Sequence, residues 1–261
     1  MRVQRNKNAS RICSAGCRRR GGRVLDIGTR DGYLALQLAE RFDEVVALDL
    51  ERPAISGERI VCVQGDVCAL EFPDEHFDAV LCAEVLEHIP PALLSKACAE
   101  ITRVTRGVAV IGVPFRQDRR RGRTLCAACG AHNPPWGHVN AFDEASLREL
   151  FTPALRWEDH GFVGQHKACT NAVSVWLMDL AGNPYGNYDQ DEPCVACGAR
   201  LLRPAVVGLR ARLLAAVAFR LTALQQRLAT PQPKWIHVRF ARAPEHRARP
   251  FDSLDSAPIA A

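Results

Sequence analysis

The sequence predicts an α/β fold: a doubly wound, mostly parallel seven-stranded sheet that carries an insertion or lid with zinc knuckles. Three observations predict it. From residue 23 onward, short apolar runs alternate with segments of helical periodicity, the pattern of parallel β/α units covered on both faces. The first run, Val24-Leu-Asp-Ile-Gly28, ends in a glycine-containing turn. In the second half, Cys126-Ala-Ala-Cys-Gly-Ala131 and Cys194-Val-Ala-Cys-Gly-Ala199 repeat nearly the same hexapeptide.

The elements follow in order. Residues 1–20 are polar, basic and aperiodic and read as a flexible arm. Residues 23–28 form a buried strand and 33–42 a helix. Strands follow at 44–49, 59–64 and 77–82, then a helix at 91–104 and a fifth strand at 108–113. Asp143 is placed to N-cap a helix that runs to residue 150. Residues 155–163 read as a sixth strand, 205–228 as a helix and 234–240 as the last strand, antiparallel to its neighbours. The organisation is a core over 21–165 with the first knuckle at 124–138, and an insertion over 166–230 with the second knuckle and a helix. Residues 231–243 return as a closing strand of the core. The tail, 244–261, rich in Ala, Pro and Arg, reads as disordered.

Composition narrows the function. The 261 residues carry 34 Lys and Arg against 29 Asp and Glu, a net charge of +5, with 48% hydrophobic residues. Such a chain can bury a sizeable core. The N-terminus lacks the apolar stretch of a signal peptide, and no uncharged run reaches the roughly 20 residues that span a bilayer. A cytoplasmic location is expected. Eleven cysteines are an odd number for a closed disulfide set, and clustered thiols in a reducing compartment point to metal. The runs Arg18-Arg19-Arg20 and Arg116 to Arg123 read as solvated loops, with a phosphate or anionic surface as the alternative.

At the first turn, Gly28 permits a sharp change of direction, and Gly32 allows close approach of a ligand at the start of the next helix. In open α/β sheets ligands lie at the carboxyl ends of the strands. A dinucleotide-dependent oxidoreductase shares this much. Asp49 at the end of the second strand can accept bonds from ribose hydroxyls, and Asp66 after the third can bind an adenine amine.

Taken with Phe72-Pro-Asp-Glu-His-Phe-Asp78, Glu84-Val-Leu-Glu-His88 and Gly137-His-Val-Asn-Ala-Phe142, the chain resembles the class I methyltransferases of the type 11 group over residues 23–151. The resemblance implies a Rossmann-like fold and S-adenosylmethionine as cofactor. It implies that Asp26, Gly28 and Gly32 shape the cleft for the methionine and ribose, that Asp49 holds the ribose, and that Asp66 and Val67 flank the adenine. Glu84 and His88 are implied beside the sulfonium. One departure is Arg30, where the family loop usually has glycine. His88 and His138 are the candidate catalytic bases, although His88 could instead complement a helix C-terminus. Asp78 reads as a brace for the fourth strand.

Two Cys-x-x-Cys turns supply the four thiolates of a closed structural zinc site, here Cys126, Cys129, Cys194 and Cys197. His132 and His138 are alternative ligands; a redox pair or unrelated buried thiols are the other readings. Both pairs should emerge over the substrate opening, where a zinc clasp would tie two insertions into one lid. On the helix over 205–228, Val206, Leu213, Val217, Leu221, Leu224 and Leu228 share one stripe, read as core packing or a dimer face, with a basic membrane-surface helix as the alternative.

The expected activity is methyl transfer from S-adenosylmethionine to a small-molecule or glycan biosynthetic intermediate. An RNA methyltransferase and a catalytically inactive zinc-stabilised interaction scaffold are the alternatives.

Overall fold

The computed structural model describes residues 21–242. The basic arm with Arg18–Arg20, Cys13 and Cys17, and the tail, lie outside the described residues.

The apolar runs form strands β1 (Arg23–Ile27), β2 (Glu44–Asp49), β3 (Ile60–Gln64), β4 (Phe77–Ala83) and β5 (Thr105–Pro114), all mutually parallel. Two further long strands, β8 (Leu155–His166) and β9 (Gln232–Arg242), complete the sheet in the order β3-β2-β1-β4-β5-β9-β8. β9 is antiparallel to both β5 and β8, which places it as the closing strand between them.

Alternation along each strand feeds two cores. On one face Leu25, Ile27, Val80 and Cys82 pack with Ile101 and Val104 of helix α2 (Pro91–Val104) and Leu147 and Phe151 of α3 (Glu144–Phe151). On the other, Val24, Val45, Ala79 and Leu81 pack with Ala35 and Leu38 of α1 (Tyr33–Leu38) and with Phe42. The α1 helix is shorter than the sequence pattern suggests, but Phe42 still reaches the core through a turn closed by its N–H onto Leu38 O at 2.9 Å. Asp143 caps α3 as expected: its carboxylate accepts from Ser146 N, and Ser146 Oγ accepts from Asp143 N, each at 2.9 Å. Asp78 braces β4, accepting from Arg23 N at 2.9 Å and pairing with Arg106.

The later half differs from expectation in two places. Residues Ala172–Leu180, where the sequence marks no element, form helix α4, N-capped by the Asn171 side chain accepting from Ser174 N at 2.8 Å. Helix α5 (Leu209–Leu228) follows, and its large apolar stripe is not core. Leu213 is 60% exposed and Leu224 57%, whereas the buried positions are the small Ala215 and Ala218. α5 packs on α4 through its alanine face, where Ser174 Oγ donates to Ala218 O at 3.1 Å.

The two insertions meet. A short hairpin, β6 (Thr124–Leu125) with β7 (His132–Asn133), brackets the first cysteine turn. Leu125 N donates to Tyr188 Oη at 3.2 Å, Asn187 N to Gly122 O at 2.7 Å, and Val195 N to Asn133 Oδ1 at 2.8 Å. An Arg123–Asp179 ion pair adds a fourth tie. Among the described residues, no helix is long and apolar enough to cross a membrane.

Candidate active site and cysteine cluster

The carboxyl ends of β1 to β4 bring the predicted nucleotide residues to one edge. Gly28 sits at φ +73°, and a Cβ there would lie 2.3 Å from Val85 Cγ2. Both the left-handed backbone and the approach of Val85 require glycine. Arg30, two residues on, also has positive φ, at +46°. The backbone therefore retains the conformation suited to the family's glycine and makes an arginine adopt it, a strained position of order 1 kcal/mol or more. What Arg30 contributes is its amide, which donates to Asp49 Oδ2 at 2.9 Å while Leu50 N donates to Oδ1 at 2.8 Å. Two N–H groups thus fix the Asp49 carboxylate at the end of β2. Gly32 closes the loop at φ +75°.

Asp26 lies beneath this loop, 2% exposed, accepting from Thr29 Oγ1 at 2.7 Å. Burial pushes its carboxyl pKa up to about 7, so it is poised to ionise when a cation arrives. Asp66 is exposed after β3 and accepts from Cys68 N at 2.8 Å. Val67 turns inward and packs with the core. Glu84, at φ +64°, ends β4, its N–H donating to Gly112 O at 2.8 Å.

The loop after β4 carries His88, and residues 138–140 are clamped to it. Glu87 O accepts from Val139 N at 2.8 Å and Asn140 N at 3.2 Å; Asn140 Nδ2 donates to Leu86 O at 2.8 Å and Ile89 O at 2.6 Å. The clamp sets the His88 and His138 rings 4.7 Å apart and nearly perpendicular. His138 Nδ1 donates to Gln117 Oε1 at 2.6 Å, which makes Nε2 the acceptor nitrogen of that ring. Burial pushes the His88 pKa down, opposed by Glu192 and reinforced by Arg30, so this imidazole is neutral at neutral pH. With Glu87 the two histidines bring three ligand-type atoms within 4.8 Å of one another.

His88 opens onto a cavity of about 1100 Å³ walled by Gly137, Val139, Asn133, Cys169 and Thr170, and by arginines of the 116–123 run. The run remains exposed at Arg116, Arg119, Arg120 and Arg121, as expected of a solvated loop, and also borders the cavity. Arg116 pairs with Glu144 at 3.4 Å, Arg120 with Asp118 at 2.8 Å and Arg123 with Asp179, while Arg119 donates to Val139 O. Asp118 in turn accepts from Thr170 N at 3.1 Å, joining the two insertions across the cavity.

The four cysteines converge. Sγ of Cys126 and Cys197 are 3.7 Å apart, those of Cys129 and Cys194 3.6 Å, and all four lie within 4.8 Å of one another. Both turns have the same geometry. Gly130 N donates to Cys126 O at 2.9 Å and Gly198 N to Cys194 O at 2.8 Å, and each glycine has φ +72°. His132 is elsewhere, 3.4 Å from Asp179, and His138 is beside His88, so neither joins the sulfurs.

Sequence reasoning missed Gln117, Asn140 and Val85. Each acts on a residue distant in sequence; Val85 and Asn140 fall within the Glu84-Val-Leu-Glu-His88 and Gly137-His-Val-Asn-Ala-Phe142 segments, whereas nothing marked Gln117.

Residues 25–111 match the family described as "Methyltransferase domain". A ubiquinone biosynthesis O-methyltransferase of Alkalilimnicola ehrlichii is 36% identical over 94 residues, covering 32% of this chain and 38% of that protein. A demethylmenaquinone methyltransferase of Roseiflexus castenholzii is 35% identical over 94 residues, 33% of this chain and 39% of that protein. The chain therefore spans about two fifths of the length of these curated relatives. Among solved structures, the N-methyltransferase NodS of Bradyrhizobium japonicum shares the fold, with TM-score 0.51 and 15% identity over 92% of this chain and 96% of that one. The likeness to S-adenosylmethionine-dependent methyltransferase domains thus rests on residues 25–111, a third of the chain.

The raised Asp26 pKa has a stability consequence. Between the unfolded value of 3.8 and the folded value of about 7, the native state holds more protons than the unfolded state. Stability contributed by this group is therefore present at low pH and falls as pH rises through that window, by on the order of 4 kcal/mol. Asp26→Asn should be more stable than the parent at pH 8, with the difference shrinking toward pH 4. Denaturant melts across pH check this; a difference independent of pH contradicts the assignment.

Proposed function

We propose that the chain transfers a methyl group from S-adenosylmethionine to a hydroxyl oxygen of a small molecule held in the cavity beside His88. The observation that carries this is the placement of Asp26, Gly28, Asp49 and Asp66 at successive strand ends, one strand away from His88, which lines a cavity and packs against His138. The residues fit the cofactor. Gly28 permits the sharp turn after β1, Asp49 offers an oriented carboxylate to ribose hydroxyls, and buried Asp26 gains a counter-charge from the cationic methionine end.

The bound cofactor supplies a methyl group activated by the sulfonium. The protein's share is alignment, exclusion of water and reception of a proton. His88, kept neutral by burial, and His138, its tautomer set by Gln117, can each accept a hydroxyl proton. The name of the Alkalilimnicola relative, an O-methyltransferase of ubiquinone biosynthesis, supports an oxygen on a small molecule. Three of the four cavity arginines are committed to carboxylates, which disfavours RNA, because a phosphate backbone needs free cations.

Calorimetry tests the reading. S-adenosylmethionine and S-adenosylhomocysteine should bind and NAD should not. Asp49→Ala should weaken binding by about 1.5–3 kcal/mol, the value of a charged acceptor lost from buried hydroxyls. Tight NAD binding with no response to either sulfur nucleotide contradicts it.

We also propose that Cys126, Cys129, Cys194 and Cys197 hold one structural zinc. Four thiolates about 2.3 Å from a tetrahedral ion lie about 3.8 Å apart along each edge. The observed separations of 3.6 and 3.7 Å match that edge and are far beyond a disulfide bond of about 2.05 Å. Protein purified without added metal should contain one zinc per chain. Cys126→Ser and Cys194→Ser should each release it and lower transfer activity, while cofactor affinity stays near the parent value. Zinc near zero in the parent, or unchanged in both variants, contradicts the assignment.

A further inference from the structure

Surface helices ordinarily turn their large apolar residues inward. α5 does the reverse. Its buried face is made of Ala215 and Ala218, and its solvent face carries Leu209, Leu213, Val217, Leu221 and Leu224. At helical spacing these five fall within one arc of about a third of the circumference. The partner helix α4 repeats the arrangement over a shorter length: Val173, Trp176 and Leu180 share one stripe, and Trp176 is 59% exposed. The helices are held together by Ser174 on Ala218 O and by Asn171 Nδ2 donating to Gln225 Oε1 at 3.0 Å. The apolar stripes are therefore the outer surface of a defined helical layer.

Charge decides what covers this layer. Arg210, Arg212, Arg220 and Arg227 are all exposed on α5, and that helix has no acidic residue. The only carboxylate on either helix, Asp179, is engaged by Arg123. Among the described residues none of the four arginines has an ion-pair partner. On the helical wheel Arg210, Arg220 and Arg227 fall within the same arc as the leucines, near its edges, and Arg212 lies outside it. A second copy of this chain would set unpaired arginines against arginines across a self-complementary contact. A surface that is apolar in depth and anionic at its boundary accepts both features, because arginine stems can run along apolar groups while the guanidinium meets phosphate.

We propose that the α4–α5 face docks the protein on an anionic lipid bilayer surface. α5 lies in the interface plane, leucines and Trp176 in the acyl boundary and the arginines among the headgroups. The opposite side of α5 adjoins the cavity: Gln226 Nε2 donates to Cys169 O at 3.2 Å, and Thr170 Oγ1 lies 3.3 Å from Thr222 Oγ1. Docking therefore leaves the cavity wall about one helix diameter, roughly 10 Å, from the lipid surface.

Flotation of the full chain with phosphatidylcholine vesicles, with and without phosphatidylglycerol, tests this. The parent should float with the anionic vesicles and far less with the neutral ones, and added salt should weaken the association. The pair Arg220→Gln and Arg227→Gln should lower partitioning on the order of tenfold. Trp176→Ser with Leu224→Ser should abolish it, and both variants should keep the parent melting temperature and metal content. Failure of the parent to float with anionic vesicles overturns the proposal. So does a solution dimer that Leu213→Asp dissociates, in a protein without lipid affinity.

Discussion

The approach of Cys126 and Cys129 to Cys194 and Cys197 is the contact on which the cavity depends. It joins segments 65 and 71 residues apart in the chain. The apolar cluster beneath it consists of Cys126, Tyr188, Cys194 and Leu201, with two partly buried alanines. A lobe with so little apolar surface is not stabilised by burial alone, and small folds in this condition ordinarily rely on metal or disulfides. The remaining ties are polar and follow from the same approach: Tyr188 onto Leu125, Asn133 onto Val195, Asp118 onto Thr170. The parallel sheet, in contrast, has two full cores and no need of the clasp. The proposed zinc thus bears on the lobe over His88 and little on the cofactor edge.

The cofactor edge has its own constraint in the turn after β1. Gly28 and Val85 are in such close approach that the β1 and β4 ends are locked in relative position. The same turn presents the Arg30 amide to Asp49 and covers Asp26. An arginine at positive φ is an uncommon way to build it, yet the hydrogen bond it supplies comes from the backbone, so the side chain's identity does not alter the geometry of the carboxylate.

Much of this was legible in the sequence because it is encoded locally. Strands β1 to β5 are short apolar runs whose ends carry Gly or Asp, and each cysteine turn is a self-contained hexapeptide. Asp143 and Ser146 lie three residues apart and announce their helix. What was not legible depends on partners far along the chain. Helix α4 is apolar on nearly every position, so no polar face marked its period. The ion pairs of Arg116 and Arg123 could not be read because their carboxylates, Glu144 and Asp179, are 28 and 56 residues away. Of the expected uses of the α5 stripe, core packing fails because small alanines, and not the leucines, fit against α4.

The central claim is that the cysteine clasp makes one body of two insertions over a sheet that stands without it. Hydrogen exchange, followed with the metal in place and after chelation, tests this most directly. The account predicts that amides of residues 122–138 and 183–199 lose protection together on chelation, while those of β1, β2, β4 and β5 are unchanged. Loss confined to one insertion, or loss spread evenly through the sheet, would contradict it.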